Sequence, residues 1–326
     1  MKNSLVVPAL GAYLASLACW FGLGACGTAG ERKDEPMKGG EVEGKGKEVA
    51  IPSWSFAWKP GPFEIEHTIQ RIGAAGPEVV VVSAHGEVVD SGENWRVVFS
   101  KVTLETPATG TAPKDLHAAL RAGGTHAFAD AWPALVIGKA DGGVVRVEGA
   151  AAELTRVREL HANPKIKRAP SVSETAVQAQ AVETLAIMRW SAWVVAFAGW
   201  DAPIGQARQF TYDPDKADGL SVPLSAAERR LPLTAGLERA EIMRTYAGDA
   251  LTKKVKADLL ARGQPKAKIS AVTKVVREQT ITAVTDPATL RSQRIEQRDV
   301  FTLRAYAGKN EQVETLAETD AWVFTW

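Results

Sequence analysis

The residue types that most often carry catalysis are few and scattered in this chain. Five histidines are present, and none falls in a metal-ligand spacing such as H-E-x-x-H or H-x-H. They are His67, His85, His117, His126 and His161. His67 and His85 lie in predicted strands, where the two rings could meet across a sheet. We expect both to be ordinary strand residues with satisfied hydrogen bonds.

One group of three residues has the types that a nucleophilic hydrolase uses. Ser83 and His85 would share one face of a strand, and Asp90 follows them. A serine triad also needs a strained G-x-S-x-G turn and donors for the oxyanion, and neither is evident near Ser83. The sequence therefore predicts no catalytic residue, and a hydrolase with an unrecognised site remains an alternative.

Cofactor, metal and nucleic-acid chemistry have equally little support. No P-loop is present, and no G-x-G-x-x-G follows a predicted strand. Both cysteines, Cys19 and Cys26, are near the N-terminus, so the chain after them has no thiolate for a metal and no disulfide. Without the first 25 residues, whose only charged side chain is Lys2, the formal charge falls from +1 to zero. A neutral chain lacks the basic footprint of a nucleic-acid binder.

Four aromatic residues recur at helical spacing and form the most distinctive pattern. Trp190, Trp193, Phe197 and Trp200 would lie on one face of a long helix. The favoured interpretation is a stripe of core residues packed on a sheet, because each ring buries a large area. The alternative is the wall of a pocket for a lipid or another apolar ligand. Trp193 is then the inner, core member, and Trp200 at the helix end is the pocket or rim residue.

The N-terminus has the pattern of a secretory signal. A basic start, Met1-Lys2-Asn3, precedes a nearly continuous apolar run over residues 4–23. That run is also long enough to span a membrane, so a retained N-terminal anchor is the alternative. Pro8 and several glycines weaken a long helix there, and no Lys/Arg cluster follows immediately.

The apolar run ends in Leu23-Gly24-Ala25-Cys26, which resembles the lipobox of bacterial lipoproteins. The resemblance implies cleavage before Cys26, a diacylglyceryl thioether on its sulfur and usually an acylated amine. Cys19 is the competing site, but hydrophobic Trp20-Phe21 follows it. Several acyl chains on one residue exceed what stable membrane anchoring needs. Gly27 favours the outer membrane over the inner, because the enteric sorting rule retains proteins with Asp at that position.

These signals divide the chain into three parts. Residues 1–25 are predicted to be a signal peptide, and residues 26–50 the lipidated cysteine with a flexible tether rich in Gly, Lys and Glu. Residues 51–326 are predicted to be the folded domain, with 45% apolar residues in the whole chain to supply its core. Two lobes split near residues 213–236 are the alternative to a single unit.

Strands are predicted at both ends of the folded part, and helices between them. Alternation and β-branched runs predict strands, and apolar residues at helical spacing predict helices. The predicted strands cover 63–69, 78–89, 95–104, 134–139, 143–148, 205–212, 238–246, 269–285, 290–306 and 313–326. The predicted helices cover 113–122, 150–161, 171–200 and 249–262. The stretch 213–232 is predicted to be a polar connection.

This order predicts an α+β domain built on a curved antiparallel sheet, with a half-open barrel as one form of it and helices packed on one face. The pattern resembles a class of secreted bacterial proteins with a Trp-bearing middle helix and a closing aromatic-x-Trp, here Phe324-Thr-Trp326. It distantly resembles the half-open barrels of periplasmic lipoprotein carriers. Both resemblances imply an apolar cavity.

The function expected from these observations is that of an envelope lipoprotein. It would be anchored through Cys26 and would bind an apolar ligand or an envelope protein partner without catalysing a reaction. A structural or assembly component of the envelope is the first alternative, and a hydrolase is the second.

Overall fold

The structure is a computed structural model that describes residues 53–73, 76–105, 128–161, 172–211, 223–261, 266–307 and 310–326. The predicted signal peptide, Cys26, the tether and the predicted helix 113–122 lie outside the described residues. None of the described helices is both long and apolar enough to cross a membrane.

The described strands form one antiparallel sheet of eleven strands. They are β1 Gly61–Gly73, β2 Gly76–Ser91, β3 Asn94–Glu105, β4 Ala134–Gly138, β5 Val144–Glu148, β6 Arg208–Thr211, β7 Ser225–Pro232, β8 Glu238–Ala247, β9 Val272–Thr285, β10 Ser292–Ala307 and β11 Asn310–Thr325. Their order is β5-β4-β3-β2-β1-β11-β10-β9-β8-β7-β6. The first strand, β1, and the last, β11, therefore pair at the centre of the sheet. From β1 to β5 consecutive strands are neighbours and lead to one edge, and from β6 to β11 they lead from the other edge back to the centre.

Alternation along the strands separates a core face from an outer face. In β1, Phe63, Ile65 and Ile69 are buried, whereas Glu64 and Glu66 between them are exposed. This follows from the two-residue period of a strand, which sends neighbouring side chains to opposite faces. The sheet thus has one apolar face that must be covered and one polar face that meets solvent.

The helices cover the core face. They are α1 Ala150–Leu160, α2 Val172–Trp190, a π-helical turn Ser191–Val195, α3 Asp249–Ala261 and α4 Lys266–Ala271. Since β5 and β6 are the two edges of the sheet, the connection between them must cross from one edge to the other. That connection contains α1, α2 and the π-helical turn, which explains why the aromatic stripe lies over the sheet.

The core face carries two apolar clusters. The first, here called the aromatic core, contains the residues of the stripe together with Trp58, Trp132 and Trp322. The second, the distal core, lies under α3 and α4 and includes Tyr246, Phe301 and Leu251, Val255, Val275, Leu303 and Leu316. Helices are therefore packed on one face, as predicted.

Residues 53–60 form an extended segment between the end of the helical connection and the β9–β10 turn. The Trp54 N–H donates to the Trp200 carbonyl at 2.9 Å, and the Gly199 N–H donates to the Trp54 carbonyl at 2.8 Å. On its other side the Ser55 N–H donates to the Pro287 carbonyl. These bonds hold Trp54, Phe56 and Trp58 in the aromatic core.

Two glycines permit close packing in that core. A Cβ on Gly86 would lie 2.4 Å from the Phe63 ring, so only glycine lets the ring rest on β2. Gly142 has a φ of +71° and lies against the Phe56 ring and Val194. Its carbonyl also accepts a hydrogen bond from the indole of Trp190 at 2.6 Å.

The antiparallel sheet is confirmed, but the fold class needs correction. Strands dominate the described residues and helices are a minority, so the fold is closer to all-β than to α+β. Among the described strands, β5 and β6 are the two edges, and the sheet is not closed.

Local predictions failed at three places. The predicted polar connection contains β7, whose sequence Ser225–Pro232 lacks the β-branched residues that mark a strand. The start of predicted strand 269–285 is helical in α4, and the α-helix predicted over 171–200 ends at Trp190. The stretch proposed to separate two lobes thus contributes a strand to the common sheet, and the lobes themselves remain a prediction.

Candidate functional site

All four residues of the aromatic stripe lie inside the aromatic core. Trp190 and Phe197 are completely buried, and Trp193 and Trp200 are 1% and 6% exposed. Burial of Trp193 agrees with its expected place in the core. Trp200, expected at a pocket or rim, instead packs edge-on against Trp54 with ring centroids 4.8 Å apart.

The residues of the stripe all face the core, although the helix that carries them changes from an α-helix to a π-helical turn. The α-helix ends at Trp190, and the π-helical turn Ser191–Val195 inserts its wider turn before the chain leaves the sheet. Trp193 in this turn contacts the Phe324 ring at 5.4 Å and the Trp132 ring at 5.8 Å between centroids. The turn therefore presses Trp193 onto the sheet centre.

Hydrogen bonding distinguishes Trp193 from its neighbours on the stripe. The indole N–H of Trp190 donates to the Gly142 carbonyl, and that of Trp200 donates to Glu228 at 3.2 Å. The Nε1 of Trp193 is buried and has no hydrogen-bond partner in the described structure. Buried polar atoms nearly always have a hydrogen-bond partner, so this nitrogen is an exception within the core.

Trp193 also lines a small cavity. Its volume is about 10 Å³, close to the space that one water molecule occupies. Its lining consists of Phe99, Trp132, Pro133, Leu135, Ala186, Arg189 and Trp193. The described aromatic stripe thus borders a cavity of atomic size through Trp193.

Arg189 is held rigidly at the edge of this cavity. Its guanidinium donates to the carbonyls of Ala131 at 2.6 Å and Ala129 at 2.8 Å, and to that of Phe128 at 3.2 Å. It also lies 4.7 Å from the centroid of the Trp132 ring, a cation–π distance. Phe128 has a φ of 61°, a left-handed conformation that is rare for a residue with a side chain. Several backbone groups therefore fix one buried positive charge.

His67 lies next to this region on the core face. Its Nε2 is 2.8 Å from Asp320, and its ring stacks on Trp322 with centroids 4.8 Å apart. Its Nδ1 is buried without a partner in the described part of the chain, as is the Nε1 of Trp322. Burial lowers the pKa of His67 and the charge of Arg189 lowers it further, whereas Asp320 opposes both effects. His67 is therefore favoured in its neutral form.

A polar belt crosses the core face between the two apolar clusters. It consists of Arg71, Arg277, Gln279, Gln297, Asp299, Glu318 and Asp320. Asp299 at its centre accepts hydrogen bonds from Arg277 at 2.6 Å and Gln297 at 2.8 Å. Arg277 also lies 5.1 Å from the centroid of Tyr246, so it joins the belt to the distal core.

Among the described residues, Glu318 is the one carboxyl group of the belt that has no hydrogen-bond partner. It is 6% exposed, and its Oε2 is buried without a hydrogen-bond partner among the described residues. Burial raises its pKa well above the usual range, and the charges of Asp320 and Asp299 raise it further while Arg71 opposes them. The belt therefore favours a protonated Glu318 beside the hydrogen-bonded Asp299.

This arrangement makes a prediction about pH. Because the pKa of Glu318 is higher in the folded than in the unfolded chain, its contribution to stability is complete below the unfolded value of about 4.3 and is lost as pH rises through the folded pKa. We expect Glu318→Gln to raise the free energy of unfolding at pH 8, relative to the natural chain, by about 1 kcal/mol or more. At pH 4 the two chains should be nearly equal.

The measurement is urea unfolding followed by tryptophan fluorescence across this pH range. Glu87→Gln is the matched control, because Glu87 is exposed on the outer face. An equal gain from both variants, or a gain that does not grow with pH, would contradict the assignment to Glu318.

The Ser83, His85 and Asp90 group does not assemble into a triad. His85 pairs with Glu64 at 2.7 Å, and Asp90 at the other end of β2 accepts a hydrogen bond from Lys139 at 2.8 Å. His67 lies on the core face and His85 on the outer face, so their rings do not meet across the sheet.

The remaining histidines divide between buried and undescribed positions. His161 is buried and lies 2.9 Å from buried Asp130, which ties the end of α1 to the segment before β4. His117 and His126 lie outside the described residues. Among the residues that the structure describes, no three His, Cys, Asp or Glu groups are placed to hold a metal ion.

Sequence reasoning did not identify Arg189, the cavity or the polar belt. A signal for the belt was present, because Asp299 and Glu318 occupy inward positions next to apolar inward residues such as Phe301 and Leu316. No comparable signal exists for the cavity, which depends on how α2 rests on the sheet.

Comparison with known proteins adds little to this geometry. No family model matches the chain, and no curated protein matches it. One solved structure with similarity, described as lipid–protein interactions in lipovitellin, is 9% identical with a TM-score of 0.39; the match covers 82% of this chain and 25% of that one. The match thus spans about a quarter of the length of that protein. A second, the crystal structure of Neisserial surface protein A, is 6% identical with a TM-score of 0.19, over 81% of this chain and 94% of that one.

Proposed function

We propose that this chain is a lipid-anchored protein of the bacterial cell envelope that binds an apolar ligand without converting it chemically. Its lipid would be carried by Cys26, and Gly27 favours the outer membrane. The observation that carries the binding proposal is the incomplete packing beside Trp193. Trp193 lines a cavity there, and its indole N–H is buried without a hydrogen-bond partner among the described residues. The Nε1 of Trp322 and the Nδ1 of His67, which also lack a partner in the described part of the chain, lie nearby.

Several features of the core face support a binding function. Charged groups buried between two apolar clusters add little to stability or reduce it, and the belt contains such a pair in Arg277 and Asp299. Groups with perturbed ionisation often cluster where a protein binds or reacts. His67 and Glu318 have shifted pKa values of opposite direction, and both lie within this part of the core face.

The size of the cavity defines how a ligand would be accommodated. At about 10 Å³ it accepts one terminal atom of a ligand and no more. The rest of an apolar molecule must replace contacts between α2 and the sheet. Such replacement exchanges one apolar contact for another, so it need not lose hydrophobic stabilisation.

The test is mass spectrometry of apolar material that co-purifies with the full chain from bacterial membranes. Ala186→Val provides the comparison, because it adds two methyl groups to the wall of the cavity while Ala186 is otherwise buried in α2. We expect a compound that is enriched with the natural chain and depleted at least tenfold in the variant. Identical extracts from the two chains would argue against ligand binding at this place.

Anchoring has its own prediction. Cys26→Ser removes the sulfur that the lipid would occupy, so the variant should lose its attachment to membranes or remain uncleaved. Intact mass and partition between detergent-rich and aqueous phases measure this, and Cys19→Ser is the matched control. A Cys26→Ser protein with unchanged mass and unchanged partition would rule out lipidation at Cys26.

A further inference from the structure

Residues 53–60, here called the strap, belong to none of the described strands or helices, yet they carry three buried aromatic side chains. Trp54, Phe56 and Trp58 are 0%, 7% and 4% exposed, whereas Ser55 and Ala57 between them are exposed. An extended chain sends alternate side chains to opposite sides, so one side of the strap lies on the aromatic core. The strap therefore fills a part of that core from outside the framework of strands and helices.

Few backbone hydrogen bonds hold the strap in place. It exchanges two with the end of the helical connection, one each with Gly199 and Trp200, at 2.8 and 2.9 Å. On its other side the N–H groups of Ser55 and Ala57 donate to carbonyls of the β9–β10 turn at 2.9 and 3.2 Å. Breaking these four bonds would leave the described strands paired as before, because none of the four belongs to a ladder between strands.

The strap ends at a hinge where β1 begins. Gly61 has a φ of +149°, a conformation that favours glycine, and no described atom lies within 4 Å of the place that a Cβ would take there. Pro60 and Pro62 on either side have no N–H with which the sheet could hold the backbone. The chain can therefore change direction at Gly61 while the rest of β1 stays in the sheet.

The buried polar partners of the strap do not prevent its departure. The indole N–H of Trp54 donates to Glu238 at 2.5 Å, and that of Trp58 donates to the Leu290 carbonyl at 3.1 Å. Glu238 also accepts from Arg230 at 2.6 Å, so its charge stays paired when Trp54 leaves. Opening the strap thus leaves Glu238 with its counter-charge, and the two indoles can donate to water instead.

The surface beneath the strap includes aromatic rings of the stripe. The Trp58 ring lies 4.9 Å from that of Trp190, and the Trp54 ring lies 5.7 Å from Phe197 and 4.8 Å from Trp200, between centroids. These three are the stripe residues on either side of Trp193. An extended hydrocarbon chain could replace the strap on such a surface with little loss of buried apolar area.

We propose that the strap is an autoinhibitory latch, which occupies the part of the aromatic core that receives the acyl chain of an apolar ligand and leaves when the ligand enters. This inference rests on the proposed binding of an apolar ligand and adds its place and its regulation. Ligand and strap then compete for one surface, so the measured affinity is the intrinsic affinity reduced by the fraction of molecules whose strap is open. Holding the strap closed should therefore prevent binding.

A reversible crosslink provides the test. Ser55 and Ala288 are both exposed, and the Ser55 hydroxyl donates to the Ala288 carbonyl at 3.0 Å, so cysteines at these positions are close enough for a disulfide between the strap and the β9–β10 turn. The full chain with Ser55→Cys and Ala288→Cys is measured oxidised and then reduced, and peptide mass spectrometry identifies the bond. The probe is dansyl-labelled undecanoic acid, whose fluorescence rises in apolar surroundings. The protein is held in lipid nanodiscs, with empty nanodiscs as the blank.

We expect the oxidised protein to bind the probe at least tenfold more weakly than the same sample after reduction, which should match the natural chain. Each single variant, Ser55→Cys or Ala288→Cys, is a matched control and should bind equally before and after reduction. Equal binding by the oxidised and reduced double variant would overturn the latch and leave the proposed function intact. Binding by neither state, nor by the natural chain, would overturn the inference and the proposed function together.

Hydrogen exchange of the natural chain is a second measurement, and it needs no crosslink. A ligand that only covers the strap would slow amide exchange there, whereas the latch predicts the opposite. A saturating concentration of the probe should speed exchange of the Trp54, Ser55 and Ala57 N–H groups at least tenfold, because their hydrogen-bond partners are lost. Unchanged or slower exchange in the strap of the probe-bound protein would overturn the latch, whether or not the disulfide forms.

Discussion

Trp193→Ala is expected to lower the free energy of unfolding by about 3–5 kcal/mol, the loss typical of a buried aromatic residue truncated in a core. Trp193 is 1% exposed and contacts rings from three parts of the chain: Trp132, Trp190 and Phe324. Because α2 and the strands meet at this residue, the vacated space cannot be closed by moving one side chain.

Chemical unfolding followed by near-ultraviolet circular dichroism measures this loss. Val195→Ala is the control, because Val195 lies in the same π-helical turn and is 43% exposed. It should change the free energy of unfolding by less than about 0.5 kcal/mol. Comparable small losses at both positions would show that the stripe is not core.

Trp200 deserves the same measurement because sequence and structure give it different roles. Its position beside Gly199 at the helix end predicts a pocket or rim residue. In the structure it is buried, packs on Trp54 and donates to Glu228. The difference arises because residues 53–60 fold back over the helix end, a contact between segments nearly 150 positions apart that no local pattern encodes.

Strands with regular alternation could be predicted from the sequence. In β1 the inward residues Phe63, Ile65 and Ile69 are apolar, as are Trp322 and Phe324 at the end of β11, so the period of two is clear. β7 was missed because Ser225-Ala-Ala-Glu-Arg-Arg offers neither β-branched residues nor a clean period. Its strand conformation follows from pairing with β8 along its whole length.

The candidate site could be predicted only in part. The helical spacing of Trp190, Trp193 and Phe197 placed them on one buried face, as the structure has them. The cavity and the orphaned Trp193 N–H depend on details of packing between α2 and the sheet, which spacing does not contain. The sequence does not indicate that Arg189 is buried, because its burial depends on carbonyls from the segment before β4, to which its guanidinium donates.

Breaking the buried pair of Arg277 and Asp299 is expected to cost as much as removing Trp193. Arg277 is 1% exposed, its Nε lies 2.6 Å from Asp299, and Asp299 is itself 6% exposed. Replacement by methionine keeps most of the side-chain volume but leaves an uncompensated carboxylate in the core. Such losses are about 3–5 kcal/mol, because the remaining charge has neither water nor a counter-ion.

A double variant at both positions tests whether the pair of Arg277 and Asp299 stabilises the fold, or whether only the loss of one partner is harmful. Asp299→Asn keeps the hydrogen-bonding shape and removes the charge, so Arg277→Met combined with Asp299→Asn should recover at least half of the loss of Arg277→Met alone. Arg229→Met is the surface control. Its pair with Glu241 leaves Arg229 48% exposed, and exposed pairs contribute under about 1 kcal/mol.

The three free energies of unfolding therefore have a predicted order: Arg229→Met close to the natural chain, the double variant below it and Arg277→Met lowest. Recovery in the double variant would mean that the uncompensated charge, and not the loss of the pair itself, causes most of the loss in Arg277→Met. If the double variant is no more stable than Arg277→Met alone, the missing guanidinium itself is what destabilises the chain. Its contacts with Tyr246 and Phe301 would then be the stabilising interaction, and the belt would be a part of the core.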